Sequence, residues 1–345
     1  MGEPSSDQHK LKGGKSSGGG ASRSREPQKR QIQNSKLDLA AHAAWLYYIA
    51  DNTQEEIATK LDVSRQAAQR LVALAVSEKL IKFRLDHPLS SCIALAETLR
   101  DHFNLSVCKV VPSSAENSRS GLGVCAATYL AAYLETKAPT TIAISSGQTL
   151  RAMVEEIPSM DRPQHKVVSI LGNMSPDGRA GRHEVVMHLC ERTGAAAYPM
   201  PTPVVASSVK ERNLLQTQRS FATIKALVEQ AKVTFVGIGD IAWNAPVHEN
   251  GFVDDAEISE LIELGAVGEI AGWAYNRAGV LLKKGTNLRV ASVPLEQPVE
   301  RLMIAIAGGL RKKEALSAAL AGKLINGLIT DEALAKAILQ ESGSE

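Results

Sequence analysis

Beyond residue 90 the sequence alternates short apolar runs with helical segments, and this alternation constrains the fold more than any other feature. Five runs have the length and composition of buried parallel strands: 140–145, 166–171, 232–238, 301–307 and 324–329. Helical periodicity lies between or after them, at 121–136, 182–193, 208–230, 255–264, 311–321 and 331–340. Strands that alternate with helices form a mainly parallel sheet with helices on both faces. The sequence predicts a doubly wound α/β domain over 91–345.

Composition agrees with this architecture. Apolar residues make up 44% of the 345 residues, which suffices for a large core, whereas aromatic residues make up only 4%. Abundant alanine and glycine with few aromatics favour helices packed on a parallel sheet over a β-sandwich. The length leaves room for a second domain.

The first 36 residues differ from the rest of the chain. They are rich in Ser, Gly, Lys and Arg and carry eight basic against three acidic residues. This composition predicts a disordered basic tail over 1–36. The tail either adds weak electrostatic attraction to DNA or is only a solvated extension.

Residues 37–90 form a separate small domain in this interpretation. Helical patterns cover 37–50, 53–60 and 64–80, and 81–86 alternates apolar and polar residues like a short strand before Pro88. Three helices followed by such a strand predict a winged helix-turn-helix.

The turn between the second and third helices carries the strongest local signals. Thr53 and Glu56 have the spacing of a capping box, and Ser64 is a good N-cap for the next helix. Asp62 stands where the turn needs a residue that tolerates positive φ. The alternative is an ordinary helical hairpin with one polar face.

The third helix has the side chains of a recognition helix. Its exposed face shows arginine and glutamine without a carboxylate, and these types pair with guanine and adenine in the major groove of double-stranded DNA. The predicted DNA contacts are Ser64, Arg65, Gln66, Gln69 and Arg70.

In the α/β domain, three loops of small residues follow three predicted strands. Ser145–Thr149 opens a helix, where backbone N–H groups favour an anion. Gly237–Asp240 ends in Asp240, which either accepts sugar hydroxyls or caps a helix. Ala307–Gly309 precedes three consecutive cations, 311–313. Since ligand loops follow strand ends in open α/β sheets, these loops predict one shared cleft.

With these motifs the chain resembles the SorC/DeoR-type sugar-binding transcriptional regulators, which include the central glycolytic gene regulator. The resemblance covers about 38–340. It rests on motifs in a fixed order: Leu46-Tyr47-Tyr48, Thr53 to Ala58, Val63-Ser64-Arg65, Ser146 to Thr149, Gly237 to Asp240, Gly265 to Glu269, Ala307 to Lys312, and Leu328 to Glu332.

The resemblance implies a fold like that of sugar-phosphate isomerases such as glucosamine-6-phosphate deaminase, with catalysis lost, and assembly as a homotetramer. It implies an effector that is a sugar phosphate or a related sugar or polyol. By position, the resemblance implies effector contacts at Gly147, Gln148, Thr149, Glu269 and Lys312. Among these, Glu269 would accept from sugar hydroxyls and Lys312 would pair with the phosphate. Ser146 and Asp240 are predicted effector contacts from their loops, and Arg182 or His183 is a further predicted contact.

Several other classes are disfavoured by the sequence. The four cysteines form no C-x-x-C pair and predict reduced thiols, with no metal site and no cofactor. A bilayer-spanning run and a secretory signal are both missing from the sequence, so we expect a cytoplasmic protein without membrane contact. The formal net charge of +2 means that DNA binding depends on local placement of charge.

Two alternatives stay open. A sugar-phosphate isomerase or deaminase fused to a DNA-binding head would need a general base near a substrate carbon, and the candidates are Asp240, Glu269 and His183. The regulator is interpreted as a repressor of a carbohydrate-catabolism operon. An activator is the alternative, because the sign of regulation depends on where the operator lies.

Overall fold

The computed structural model describes residues 25–81, 90–113, 118–174 and 185–342. By its internal contacts the chain divides into two compact units, Met1–Lys82 and Phe83–Glu345. The domain limits at 36/37 and 90/91 stay predictions.

The described part of the first unit contains three helices: α1 (Arg25–Tyr48), α2 (Gln54–Lys60) and α3 (Arg65–Ser77). Small and aliphatic side chains from all three form its buried cluster: Ala43, Leu46, Ile57, Ala58, Ala68 and Val72. The backbone of 25–36 is helical, although composition predicts disorder there. Gln, Arg, Lys and Glu dominate 25–31, and these residues are good helix formers. The prediction of disorder rests on charge and polarity and does not consider helix propensity. Residues 1–24 and the predicted strand after residue 81 lie outside the described residues.

The turn between α2 and α3 has the predicted local geometry. Thr53 and Glu56 form both bonds of a capping box, and the hydroxyl of Ser64 accepts the N–H of Ala67 at 3.2 Å. Asp62 has a φ of 52°, and the N–H of Val63 bonds the carbonyl of Ala58 at 2.9 Å. These contacts fix the angle at which α3 leaves the turn.

The second unit is a mixed α/β domain. Its described helices are α4 (Ser90–Phe103), α5 (Ser118–Leu134), α6 (Gln148–Glu155), α7 (Val186–Thr193), α8 (Val209–Thr217), α9 (Arg219–Glu229), α10 (Pro246–Glu249), α11 (Asp255–Glu263), α12 (Lys313–Ala321) and α13 (Glu332–Ser342). The strands are β1 (Val107–Val111), β2 (Thr141–Ile144), β3 (Lys166–Met174), β4 (Ala196–Pro203), β5 (Val233–Gly237), β6 (Gly239–Asp240), β7 (Ala266–Ile270), β8 (Trp273–Asn276), β9 (Met303–Ile306) and β10 (Gly327–Asp331). Two 3₁₀ turns span Gly285–Leu288 and Leu310–Lys312.

Seven strands form the main sheet in the order β1-β10-β9-β5-β2-β3-β4, and every pairing in it is parallel. Side chains of its central strands alternate between two buried clusters: Ile304 and Ile306 belong to one, and Ala305 and Ala307 to the other. Both faces of the sheet are therefore covered, which confirms the predicted mainly parallel α/β architecture.

Helix α4 and strand β1 are not among the predicted elements, and three further parts of this unit differ from the sequence prediction. Strand β4 contains Pro199, Pro201 and Pro203, which argue against a strand, but it is an edge strand, where proline is tolerated. A second sheet, β6-β7-β8, is antiparallel and consists of very short strands. The helix predicted over 208–230 is broken at Gln218, whose ψ of 141° is extended.

Candidate functional site

The three predicted loops meet at the carboxyl ends of neighbouring strands. Strands β9, β5 and β2 lie side by side in the sheet, so the segments that follow them share one edge. They line a cavity of about 430 Å³, within the range of small-molecule sites. The antiparallel sheet and the segment around α10 contribute further walls, together with Leu122 of α5, Leu171 and Gly172 of β3, and Val204.

The loop after β2 presents backbone donors to this cavity. The N–H of Ser145 bonds the carbonyl of Phe235 at 2.9 Å, which ties the loop to β5. Gly147 is the N-cap of α6 with a φ of 139°, a conformation that favours glycine, and it provides no side-chain cap. The first-turn N–H groups of α6 therefore remain available to an anion or hydroxyl group.

Opposite charges meet at Asp240, at the end of β6. Its carboxylate accepts the Nζ of Lys312 at 2.6 Å through Oδ1 and the Nε of Arg311 at 2.7 Å through Oδ2. The side chain of Asp240 is 10% exposed and that of Lys312 is 21% exposed. Burial alone would raise the pKa of Asp240, but the hydrogen bond and charge of Lys312, together with the hydrogen bond from Arg311, outweigh it and lower the pKa.

Glu269 is the second carboxylate of the cavity. In the antiparallel sheet it pairs with Gly239, and a β-carbon at position 239 would overlap its carboxylate. Its Oε2 accepts the N–H of Gly272 at 2.8 Å. Burial raises the pKa of Glu269 and the nearby Asp240 adds to this, while the Gly272 bond and the Lys312 charge act in the opposite direction.

The Glu269→Gln variant should be more stable than the wild type at neutral pH. A carboxyl whose pKa is raised on folding binds more protons in the folded state, so stability falls as pH rises from the unfolded pKa through the folded pKa. Glutamine keeps an oxygen for the Gly272 N–H and removes the charge that partial burial disfavours. Thermal melts should show a higher Tm for the variant above the folded pKa and a flatter pH dependence. A lower Tm at neutral pH would contradict this account of Glu269.

The structure brings most of the predicted effector residues together. Those that line the cavity are Ser146, Gly147, Gln148, Thr149, Asp240, Glu269 and Lys312. Arg182 and His183 lie outside the described residues. Lys312 is paired with Asp240 in the structure, and its pairing with a phosphate stays a prediction.

Sequence reasoning missed several lining residues. Arg311 joins the site through Asp240 and also donates from Nη2 to the carbonyl of Asn244 at 2.6 Å. The segment around α10 supplies a further wall through Pro246, Val247, Asn250 and Phe252. The proline that opens α10 is a usable signal for a helix start, whereas nothing in the sequence places that helix at the cavity.

The predicted DNA contacts share one exposed surface of the first unit. Ser64, Arg65, Gln66, Gln69 and Arg70 are all exposed, while Ala68 and Val72 on the same helix are buried. Arg65 pairs with Glu55 of α2 at 3.4 Å, with both side chains largely exposed. The polar face of α3 is therefore free of contacts with the core of this unit.

The described residues lack two kinds of feature. Within them, no group of three or more His, Cys, Asp or Glu side chains is arranged to hold a metal ion. None of the helices that the structure describes combines the length and hydropathy needed to cross a membrane.

Residues 87–340 match the family model described as "Putative sugar-binding domain". The erythritol catabolism regulatory protein EryD of Brucella abortus (strain 2308) is 33% identical over 303 residues, covering 87% of this chain and 96% of EryD. The deoxyribonucleoside regulator of Bacillus subtilis (strain 168) is 25% identical over 315 residues, covering 90% of this chain and 100% of that protein.

A solved structure shows the same fold. The full-length sorbitol operon regulator SorC from Klebsiella pneumoniae superposes with a TM-score of 0.68 at 24% identity, covering 88% of this chain and 98% of SorC. The family match spans most of the chain, and these relatives are named as a catabolism regulatory protein and a deoxyribonucleoside regulator. The chain therefore belongs to the sugar-binding domain family found in SorC/DeoR-type transcriptional regulators.

Proposed function

We propose that this chain is a DNA-binding transcriptional regulator whose operator binding is controlled by a sugar phosphate or a related sugar or polyol. The observation that carries this proposal is the cavity, which combines the open N-terminus of α6 with a carboxylate, Asp240, held between two cations. Helix N–H groups and cations suit an anionic group, and carboxylates suit hydroxyl groups.

The other carboxylate, Glu269, supports a polyhydroxylated ligand. It has one bond from Gly272 and lies beside Asp240 in the paired strands β6 and β7. Glu269 lines the cavity, so the remaining acceptor positions of its carboxylate can take a ligand hydroxyl group as a donor. The name of the EryD relative, a regulator of erythritol catabolism, agrees with this ligand class.

The first unit is the DNA-binding part of this proposal. Helices α2 and α3 form the helix-turn-helix, and the polar face of α3 enters the major groove of a double-stranded operator. The wing is the predicted strand over 81–86. We propose further that the protein is a repressor of a carbohydrate-catabolism operon, which the effector releases from DNA.

A thermal-shift screen with sugar phosphates and free polyols tests the effector. A ligand of the folded cavity raises the Tm through linkage, and calorimetric titration then gives its affinity. The same ligand should release the protein from operator DNA in a gel-shift titration. A panel without a Tm rise or operator release would argue against the proposal, and tighter DNA binding with effector would indicate an activator.

One observation favours a catalytic alternative. Glu269 is a carboxylate with a raised pKa beside Asp240 in a cavity, which is an environment suited to general acid–base chemistry. Incubation with the same panel of sugar phosphates distinguishes the two functions, because a sensor leaves the ligand unchanged. Turnover that is lost in Glu269→Gln would identify an isomerase or deaminase.

We expect the protein to be a homo-oligomer, with a tetramer as the proposed state, assembled mainly through the α/β unit. A single recognition helix buries too little DNA for strong specificity, and such heads bind repeated half-sites as dimers. Light scattering at micromolar concentration should therefore give a multiple of the 36.9 kDa chain mass. A monomeric mass under these conditions would refute the expectation.

A further inference from the structure

Asp331, the last residue of β10, holds a turn of the cavity without lining the cavity itself. Its side chain is buried, at 1% exposure. One carboxylate oxygen, Oδ2, accepts the N–H of Gly309 at 2.6 Å. The other, Oδ1, accepts the N–H of Leu334 at 2.9 Å and the hydroxyl of Ser113 at 3.0 Å. Three segments distant in sequence therefore meet at one carboxylate.

The bond to Gly309 fixes the start of the cationic turn. Gly309 has a φ of 87°, and a β-carbon at Gly308 would lie 2.7 Å from Oδ2 of Asp331. The carbonyl of Gly309 in turn accepts the N–H of Lys312 at 3.0 Å and so closes the 3₁₀ turn Leu310–Lys312. Arg311 and Lys312 lie in that turn, and both donate hydrogen bonds to Asp240.

We infer that Asp331 is a positioning residue of the effector site, which sets the place of Arg311 and Lys312 by holding the backbone of Gly309. This inference rests on the proposed function for its consequence on ligand binding. A purely structural role is the competing interpretation, in which Asp331 only caps α13 through Leu334. The two roles use different oxygens, so a suitable variant separates them.

Asp331→Asn separates them because an amide has one acceptor oxygen where the carboxylate has two. If that oxygen keeps the bonds from Leu334 and Ser113, the amide NH₂ must face the N–H of Gly309. Two donors then oppose each other at the cavity turn while the helix cap survives. The matched control is Asp254→Asn, which changes the N-cap aspartate of α11 away from the cavity lining.

Hydrogen exchange on the full chain tests the positioning without any ligand. In the wild type the Gly309 amide should be protected although it lies in a turn, and a rapidly exchanging Gly309 would overturn the inference at once. In Asp331→Asn the exchange of 307–313 should be about tenfold faster or more, since a lost bond of about 1.4 kcal/mol corresponds to tenfold. Asp254→Asn should leave 307–313 unchanged. Equal exchange of 307–313 in wild type and Asp331→Asn, with the Leu334 amide as protected as in the wild type, would overturn the inference as well.

Binding of inorganic phosphate, measured calorimetrically, gives the second readout. We expect the Kd for phosphate to rise about tenfold in Asp331→Asn. The affinity of this variant for operator DNA without effector should stay within twofold of the wild-type value, and so should the Kd for phosphate of the Asp254→Asn control. An unchanged Kd in a variant with faster exchange at 307–313 would overturn the ligand-binding part of the inference. If wild type binds no phosphate and no member of the sugar panel, the proposed function fails, and the exchange data still decide the role of Asp331.

Discussion

Replacing Lys312 with alanine is expected to weaken binding of a phosphorylated effector by about 1.5–3 kcal/mol, the value of a hydrogen bond to a charged group. Lys312 is the less exposed of the two cations on Asp240 and lines the cavity. The fold should survive, because Arg311 remains on the other oxygen of Asp240. Effector-free operator binding should also be unchanged.

Calorimetric titration of wild type and Lys312→Ala measures this loss. Lys313→Ala is the matched control, since it removes the same charge from the next residue, which starts α12 and is not among the cavity-lining residues. An equal loss of effector affinity in both variants would show that Lys312 acts through the overall positive charge of this segment and makes no direct contact with the phosphate. An unchanged Kd in Lys312→Ala would show that Lys312 does not contact the effector. The N-terminus of α6 would then be the only remaining support for a bound phosphate among the features argued above.

The contact must also differ between the DNA-bound and released states. A ligand with equal affinity for both states shifts no equilibrium, however tightly it binds. In the structure Lys312 is already bonded to Asp240 at 2.6 Å. A phosphate that attracts Lys312 would therefore weaken this bond and change the charge balance at Asp240. The operator-release titration should lose sensitivity in Lys312→Ala by the same factor as the Kd.

Local sequence signals predicted the parts of the site that depend on local geometry. Small residues after a strand, as at Gly147, place a loop at the carboxyl edge of a parallel sheet. Asp62 and Ser64 are likewise determined by the turn and the helix cap they form. These features follow from backbone preferences of a few neighbouring residues, which a single sequence contains.

The missed features depend on contacts between distant segments. Asp240 lies beside Glu269 because β6 and β7 pair antiparallel, and β6 has only two residues, which is too short to show an alternation in the sequence. Asp331 reaches Gly309 only because β10 neighbours β9 in the sheet. In sequence, an aspartate before a helix predicts a cap and nothing more.

The double replacement Arg65→Ala and Gln66→Ala is expected to abolish most sequence-specific DNA binding. Each side chain stands at the start of α3, is exposed, and belongs to a face without a carboxylate from 64 to 70. A good side-chain contact to a base edge provides on the order of 1–3 kcal/mol of discrimination. Operator affinity should therefore fall by that amount per residue, with a smaller loss on random DNA. Fluorescence anisotropy with both DNAs at one fixed salt concentration measures the two effects.

Glu55→Gln is the control that should act in the opposite direction. Glu55 pairs with Arg65 at 3.4 Å, and a pair with both side chains largely exposed to water contributes little to stability. Its removal should free Arg65 for DNA and take a negative charge from the same surface, so that affinity rises less than tenfold for any DNA sequence. The fold should be unaffected, because the capping box uses Thr53 and Glu56 and leaves Glu55 out.

Wild-type operator affinity in the Arg65→Ala and Gln66→Ala double variant would exclude α3 as the recognition helix. A loss of affinity in Glu55→Gln would mean that the ion pair orients Arg65 for its base.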